Sequence, residues 1–177
     1  MGISKRHLAA IIAQGGCERS SNYLPAVKLL HTSWFLAMIA EVFYFDRPFI
    51  PLLAVIGLLG AITGQYLRHL SMRALGARWT LPITILPNVP AVDQGIYRYI
   101  RHPNWLGVII ELALVPLIHT AYLTTILFSI ANAFVMWKRI QAEEAALSEA
   151  NNYQAVFKNR PRFIPSLRRI ESHEHRL

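Results

Sequence analysis

The residues of this chain best suited to chemistry gather at the mouths of its apolar segments. "GIYRYIRHPNWLGVIIE", residues 95–111, sets Tyr97, Arg98, Arg101 and His102 directly before an apolar helix. Gly95 permits a tight turn, so these four side chains can surround a pocket at the helix entrance. Pro103 is pre-organised for a first helical turn, where free N–H groups favour an anion. Gly107 lets a ligand or another helix approach the backbone closely. The simpler account is a basic cap at a membrane surface, with Gly107 serving helix packing. The string as a whole is too specific for that account alone.

A second cluster is Glu143-Glu144, about one turn beyond the apolar run that ends at Trp137. Glu143 can pair with Arg139, four residues earlier on the same helix face. Glu144 cannot share that pairing, because adjacent helix positions point in different directions; it can turn toward the ribose hydroxyls or ammonium of a ligand. A third is Arg162 in "RPRFIP", residues 160–165, where flanking prolines stiffen the backbone and suit a charge presented to a substrate. In "GQYLRHLSMRALGARWT", residues 64–80, Arg68, Arg73 and Arg78 read as interfacial anchors, with Tyr66 and Trp79 in the aromatic belt. Glu41 and Glu111 lie inside apolar runs, where an ionisable group is costly. Each needs a structural partner such as His31 or Arg68, or a functional role. No pair of histidines has metal-ligand spacing, and the single cysteine, Cys17, excludes an internal disulfide and a cysteine-based metal cluster. No metal is expected.

The elements that must position these residues are apolar. Of 177 residues 54% are hydrophobic and only 16% charged, and the mean hydropathy is +0.32. Four runs, roughly Leu29–Phe45, Phe49–Leu67, Leu106–Thr120 and Ala121–Trp137, approach the ~20 residues that a helix needs to cross hydrocarbon. Short connections at "DRP" and "HTAY" predict two helical hairpins. The net charge of +8 is spread between the apolar runs rather than over one polar face, which fits anionic membrane lipid and not nucleic acid. Four Lys/Arg precede the first run, five lie in the loop 68–105 and eight in the tail from Lys138, against Arg47 alone in the outer loops. The positive-inside rule then places both termini and the central loop in the cytoplasm. No cleavable signal peptide is expected. The fold expected is all-α and polytopic: four transmembrane helices, an interfacial helix within 1–28 and a cytoplasmic C-terminal helix ending near Asn151-Asn152. "WTLPITIL" reads as extended or irregular. One domain spans 1–177, its motifs confined to 64–165.

Taken together, "LR…ALGARWT", "GIYRYIRHPNWLG", "AEEAAL", the following Tyr153 and "RPRFIP" resemble the isoprenylcysteine carboxyl methyltransferase family, in that family's order. Trp105 stands where the family usually has Tyr, and "EANN" replaces its usual Phe-Gly. The resemblance implies S-adenosylmethionine as cofactor, held by Tyr97, Arg101, His102, Pro103, Asn104, Trp105, Gly107, Glu143 and Glu144. It implies catalytic roles for Arg162, Tyr153 and Glu144, with Arg162 near the acceptor. The acceptor would be a lipophilic small molecule at the bilayer interface, either a prenylcysteine carboxylate or a phenolic polyketide lipid such as an alkylresorcinol or alkylpyrone. "RIQAEEAALSEA" and "LHTSWFLAMIAEV" look closer to the bacterial lipid-methylating branch, which implies an inner-membrane location and a partner lipid or polyketide synthase. An activated methyl donor needs mainly in-line positioning, and no nucleophilic triad or metal. Two other readings stand beside it. One is an NADPH-dependent membrane reductase of the sterol or steroid type, suggested by "PNWLG" but not by "RHP" and "AEEAAL". The other is a transporter or assembly factor, which would more naturally show paired broken helices.

Overall fold

The computed structural model describes residues 2–20 and 22–165. Residues 166–177, with the tail residues Arg168, Arg169, Arg176, His173 and His175, lie outside the described part, as does that portion of the expected single domain. The described residues form six α-helices: α1 (Gly2–Ala13), α2 (Tyr23–Tyr44), α3 (Pro51–Leu75), α4 (Pro103–Leu114), α5 (Tyr122–Ala150) and α6 (Tyr153–Phe157). Two short strands, β1 (Cys17–Ser20) and β2 (Ile83–Ile85), pair antiparallel, so the all-α expectation is amended. β2 falls within the stretch read as extended. β1 follows the Gly15-Gly16 break, where Gly15 adopts φ +83° and Gly16 N–H donates to Ile11 C=O, closing α1 with a Schellman turn.

All four apolar runs are helical, but not alike. α2 and α3 are long and apolar enough to cross a membrane; only 6% and 17% of those stretches are buried within the chain, which is unlike the core helix of a soluble protein. The third run is shorter. α4 stops at Leu114, Pro116 tightens the next five residues into a 3₁₀ segment (Val115–His119), and Thr120 turns left-handed at φ 55°. α5 continues past Trp137 to Ala150 and stops at Asn151, as the sequence predicts. The first expected hairpin is not a packed pair. α3 lies along α4, and α2 lies along α5.

Particular side chains explain that arrangement. Gly57, Gly60 and Gly64 give α3 a smooth seam; a Cβ at Gly64 would sit 2.5 Å from Glu111 Cγ. Glu41, on α2, accepts hydrogen bonds from the N–H groups of Leu123 and Thr124 at the start of α5, from the Thr124 hydroxyl, and from Arg47 at 2.8 Å. A carboxylate at a helix N-terminus satisfies donors that have no partner within the helix. Leu30, Val108 and Leu112 form the core between α2 and α4, joined by Trp34, whose indole N–H donates to Leu112 C=O. α1 is tied to the central loop at the opposite end from Glu41, since Leu81 N–H donates to Ser4 Oγ, and His7 Nδ1 lies 2.8 Å from Trp79 C=O.

Candidate active site

The site is assembled where the central loop meets α4. Gly95 adopts φ +59°, which opens a 3₁₀ turn (Gly95–Arg98) and directs Tyr97 inward, 8% exposed. Arg98 is exposed. His102 occupies the N-cap position of α4 at 4% exposure, its ring turned to Glu144 rather than to the helix N–H groups, and Pro103 begins the helix fully buried. The segment around "RPRFIP" runs beside this entrance. Arg101 N–H donates to Pro161 C=O at 3.0 Å and His102 N–H to Arg162 C=O at 3.1 Å. Arg101 Nε reaches Arg160 C=O, and Arg160 in turn holds Tyr97 C=O and Asp93. Five backbone and side-chain bonds thus strap the tail across the mouth of α4.

Glu144 is the electrostatic centre. Its carboxylate takes Arg162 at two points, 3.1 Å from Nε and 2.7 Å from Nη2, His102 Nε2 at 3.0 Å, and Arg101 Nη1 at 3.4 Å. Burial alone would raise its pKa, but the bonds and charges of His102 and Arg162 outweigh burial and hold it at about 2. Glu143 is bonded to a different partner. The expected Arg139–Glu143 pair is absent among the described residues. Instead Glu143 Oε2 accepts the Trp105 indole N–H at 3.0 Å, and Arg139 donates to Leu81 C=O while its guanidinium stacks 5.5 Å from the Trp105 ring. A rigid indole donor fixes the carboxylate, and the loop carbonyl captures the arginine.

Two cavities adjoin this centre; each holds about 370 Å³ of water-accessible space, but the larger in extent is lined by 31 described residues and the smaller by nine. They share Arg101, Tyr153 and Phe157 as a common wall. The smaller is polar, bounded by Glu144, Gln141 and Lys158. The larger takes Tyr97, His102, Asn104, Trp105 and Glu143 from the expected set and extends between α2, α3 and α4. Three expected residues line neither cavity. Pro103 is enclosed at the helix start; Gly107 packs on α3, where an added Cβ would lie 2.6 Å from Gly64 C=O; and Arg162 is engaged by Glu144. Tyr153, 5% exposed, has a buried hydroxyl with no hydrogen-bond partner among the described residues. Its pKa is raised by burial first and then by Glu144 and Glu143, so the phenol stays protonated.

Some lining residues were not singled out as site residues from sequence. Arg139 and Lys28 read as surface or helix-pairing charge, His31 as a possible partner for a buried glutamate, and Asn151 as a helix end. All four line the larger cavity. Of the intramembrane carboxylates, Glu111 meets Arg68 at 2.8 Å as one expectation had it, whereas Glu41 meets Arg47 and not His31.

Comparison with known proteins bears on the same residues. The family model for the isoprenylcysteine carboxyl methyltransferase (ICMT) family matches residues 55–149, which carry α3, the central loop, α4 and most of α5. The uncharacterized protein YpbQ of Bacillus subtilis is 35% identical over 150 residues, covering 84% of this chain and 88% of that one. An uncharacterized Haemophilus influenzae protein is 28% identical over 149 residues, with coverage of 84% and 86%. The protein-S-isoprenylcysteine O-methyltransferase of Schizosaccharomyces pombe is 33% identical over 110 residues, which are 58% of this chain and 45% of that longer protein. A match over more than half the chain, centred on the strapped helix entrance and the Glu143-Glu144 helix, places the protein in the isoprenylcysteine carboxyl methyltransferase (ICMT) family, a family of membrane methyltransferases.

Proposed function

We propose that this protein transfers a methyl group from S-adenosylmethionine to an ionised oxygen, carboxylate or phenolic, of a lipophilic acceptor held at the membrane interface. The observation that carries this reading is the composition of the larger cavity. Among the described lining residues its one carboxylate, Glu143, stands with the rings of Tyr97, Trp105 and Tyr153, while Leu24, Val27 and Val108 supply an apolar wall from α2 and α4. A volume of about 370 Å³ suits a small-molecule site.

The cofactor fits these residues. A sulfonium or ammonium is attracted by aromatic faces and by a carboxylate such as Glu143, whose Oε2 alone is hydrogen-bonded among the described residues. When bound, S-adenosylmethionine supplies a methyl already activated on sulfur. The chain then has to orient, exclude water and keep the acceptor oxygen ionised. Glu143 is pre-oriented by Trp105. The Glu144 cluster holds His102 and the tail strap at the entrance of α4, so the pocket wall is fixed before any ligand arrives. Tyr153, protonated and unpartnered, is a hydrogen-bond donor in the wall between the two cavities.

The apolar surfaces of α2 and α3, where Leu29, Phe43, Leu52 and Leu59 are more than half exposed, suit an acceptor arriving from lipid, and we take the basic end of the bundle as cytoplasmic. The family match favours methyl transfer over hydride transfer or transport. Calorimetric titration of the purified chain in detergent tests this: S-adenosylhomocysteine should bind, and His102→Ala and Glu143→Gln should each weaken it about tenfold or more, the scale of one lost charged hydrogen bond. NADPH binding without S-adenosylhomocysteine binding would overturn the reading. Comparing lipid extracts of cells with and without the protein by mass spectrometry would then identify the acceptor.

A further inference from the structure

Methyl transfer to oxygen asks for an ionised acceptor, and acceptor classes differ in what that requires of the protein. A carboxylate arrives ionised at neutral pH, whereas a phenol, with an ordinary pKa near ~10, does not. A phenolic acceptor therefore needs a side chain that takes its proton. The cations that line the larger cavity, among them Lys28, Arg68, Arg101 and Arg139, hold no lone pair for it. Tyr97 and Tyr153 are kept protonated by burial first, with Glu143 adding to the effect at both. An ordinary carboxylate is about six pK units less basic than a phenolate and an imidazole about three and a half, which sets Glu143 aside.

Two imidazoles line the cavity. His102 is engaged through Nε2 by Glu144 at 3.0 Å and sits at the N-cap of α4 beneath the tail segment. His31 is placed differently. On α2, Leu24, Val27, Lys28 and His31 fall at i, i+3, i+4 and i+7, so one face of that helix lines the cavity. His31 Nδ1 lies 2.8 Å from Val27 C=O. A carbonyl only accepts, so Nδ1 carries the hydrogen and the neutral ring keeps its lone pair on Nε2. Nε2 has no hydrogen-bond partner among the described residues. The same bond turns the ring back one turn toward the start of α2. Because Glu41, near the other end of α2, meets the first turn of α5, the start of α2 lies toward the α5 end that carries Arg139 and Glu143.

We propose that His31 is a general base of the reaction, taking through Nε2 the proton of a phenolic or enolic hydroxyl carried on an apolar chain. This deepens the methyl-transfer reading, rests on it, and names the hydroxyl rather than the carboxylate as the acceptor class. The hydroxyl O–H bond breaks toward Nε2 while the oxygen forms its bond to the methyl carbon. The electron pair of the broken carbon–sulfur bond stays on sulfur, which becomes a neutral thioether. The imidazolium then gives its proton to water, so one proton is released per turnover.

The test follows turnover of pentadecylresorcinol with S-adenosylmethionine by the purified full chain in detergent. At neutral pH His31→Gln should lower kcat by about 10²-fold, the usual contribution of a positioned base. The deficit should shrink to about threefold or less as pH approaches ~10, where the phenol ionises without help. A packing defect would not follow the ionisation of the acceptor. Calorimetric affinity for S-adenosylhomocysteine should stay within about twofold, as for an independent site. In His31→Ala, added imidazole should restore part of the lost rate. A wild-type rate in His31→Gln at neutral pH, or a deficit that stays constant as pH rises, overturns the proposal. Should His31→Gln not fold, His31→Asn carries the same test, since its amide still donates to a backbone carbonyl. A wild type that binds S-adenosylhomocysteine but leaves pentadecylresorcinol unmethylated, with or without turnover of N-acetyl-S-farnesylcysteine, overturns His31 as the base and leaves the methyl-transfer reading standing. A wild type that binds no S-adenosylhomocysteine sinks both.

Discussion

Arg162 closes on Glu144 at two points, 2.7 and 3.1 Å, across the 18 residues that carry the chain from α5 back to the mouth of α4. The same carboxylate receives His102 from α4, so one side chain fastens α5, α4 and the tail segment together. Removing the carboxylate leaves His102, Arg101 and Arg162 facing one another, whereas removing Arg162, 44% exposed, leaves Glu144 with two partners. Glu144→Ala should therefore destabilise the protein by about 2–3 kcal/mol, below the range for a fully buried pair, and Arg162→Ala by about 1 kcal/mol. Thermal unfolding in detergent measures both, and equal losses would count against Glu144 as the centre.

The same cluster sets an acid limit. Glu144 has its pKa held down to about 2 in the folded protein against an ordinary value of 4.5, His102 and Arg162 outweighing the effect of burial. A depressed carboxylate contributes its stability in full above the unfolded value and loses it as pH falls toward the folded value. The cluster's contribution should be constant from neutral pH down to about pH 5 and disappear between about pH 4.5 and pH 2. Unfolding midpoints across that window should converge for wild type and Glu144→Gln; parallel curves would refute the linkage.

Much of this arrangement is legible in the sequence because it depends on local rules. Gly15-Gly16 ends α1, Asn151 ends α5 and Pro103 begins α4, each from the conformational limits of one residue. The strap of "RPRFIP" across "RHP" was recognisable only as two motifs, since backbone pairing between residues about 60 apart leaves no periodicity. Glu144 was recognised as turning away from Arg139, but its partners come from two other segments. Arg139 illustrates the remaining gap. A helix position four residues before a glutamate predicts a pair along the helix, and that prediction fails here because Trp105 and the Leu81 carbonyl, both distant in sequence, offer better-placed partners. Packing order was hidden likewise: α2 and α3 are neighbours in the chain, but the glycines of α3 fit α4 and Glu41 of α2 fits the start of α5.

The α3–α4 seam gives a third expectation. A Cβ at Gly64 would meet Glu111 Cγ at 2.5 Å and Gly107 C=O at 2.9 Å, while one at Gly2 meets nothing within 4 Å. Backbone cannot yield as a side-chain tip does, so the two helices would have to separate. That also strains the Arg68–Glu111 pair, which bridges them at 2.8 Å. Gly64→Ala should cost about 2–3 kcal/mol and Gly2→Ala close to nothing, by the usual cost of overpacking. Protease resistance of the detergent-purified variants would show it, and a wild-type profile for Gly64→Ala would mean that the seam is looser than described.

Tyr153 supplies the most direct test of chemistry in the wall between the cavities. Its hydroxyl is buried and unpartnered, an arrangement that costs free energy unless a ligand completes it. Burial, then Glu144 and Glu143, push its pKa up, so it donates a proton in a hydrogen bond and does not act as a base at neutral pH. Its ring also packs on Phe157, centroids 4.7 Å apart, and phenylalanine preserves that contact. Tyr153→Phe should therefore leave stability unchanged or slightly raised, because an unsatisfied polar group is removed. If the donor is used, kcat for methyl transfer should fall by about tenfold or more with KM for the cofactor nearly constant, the pattern of an interaction made mainly in the transition state. The kcat–pH profile of the wild type should show no loss of rate attributable to a tyrosine ionising near neutrality. A Tyr153→Phe enzyme with the wild-type kcat would reduce Tyr153 to a packing residue, and the unpartnered hydroxyl would then need another explanation.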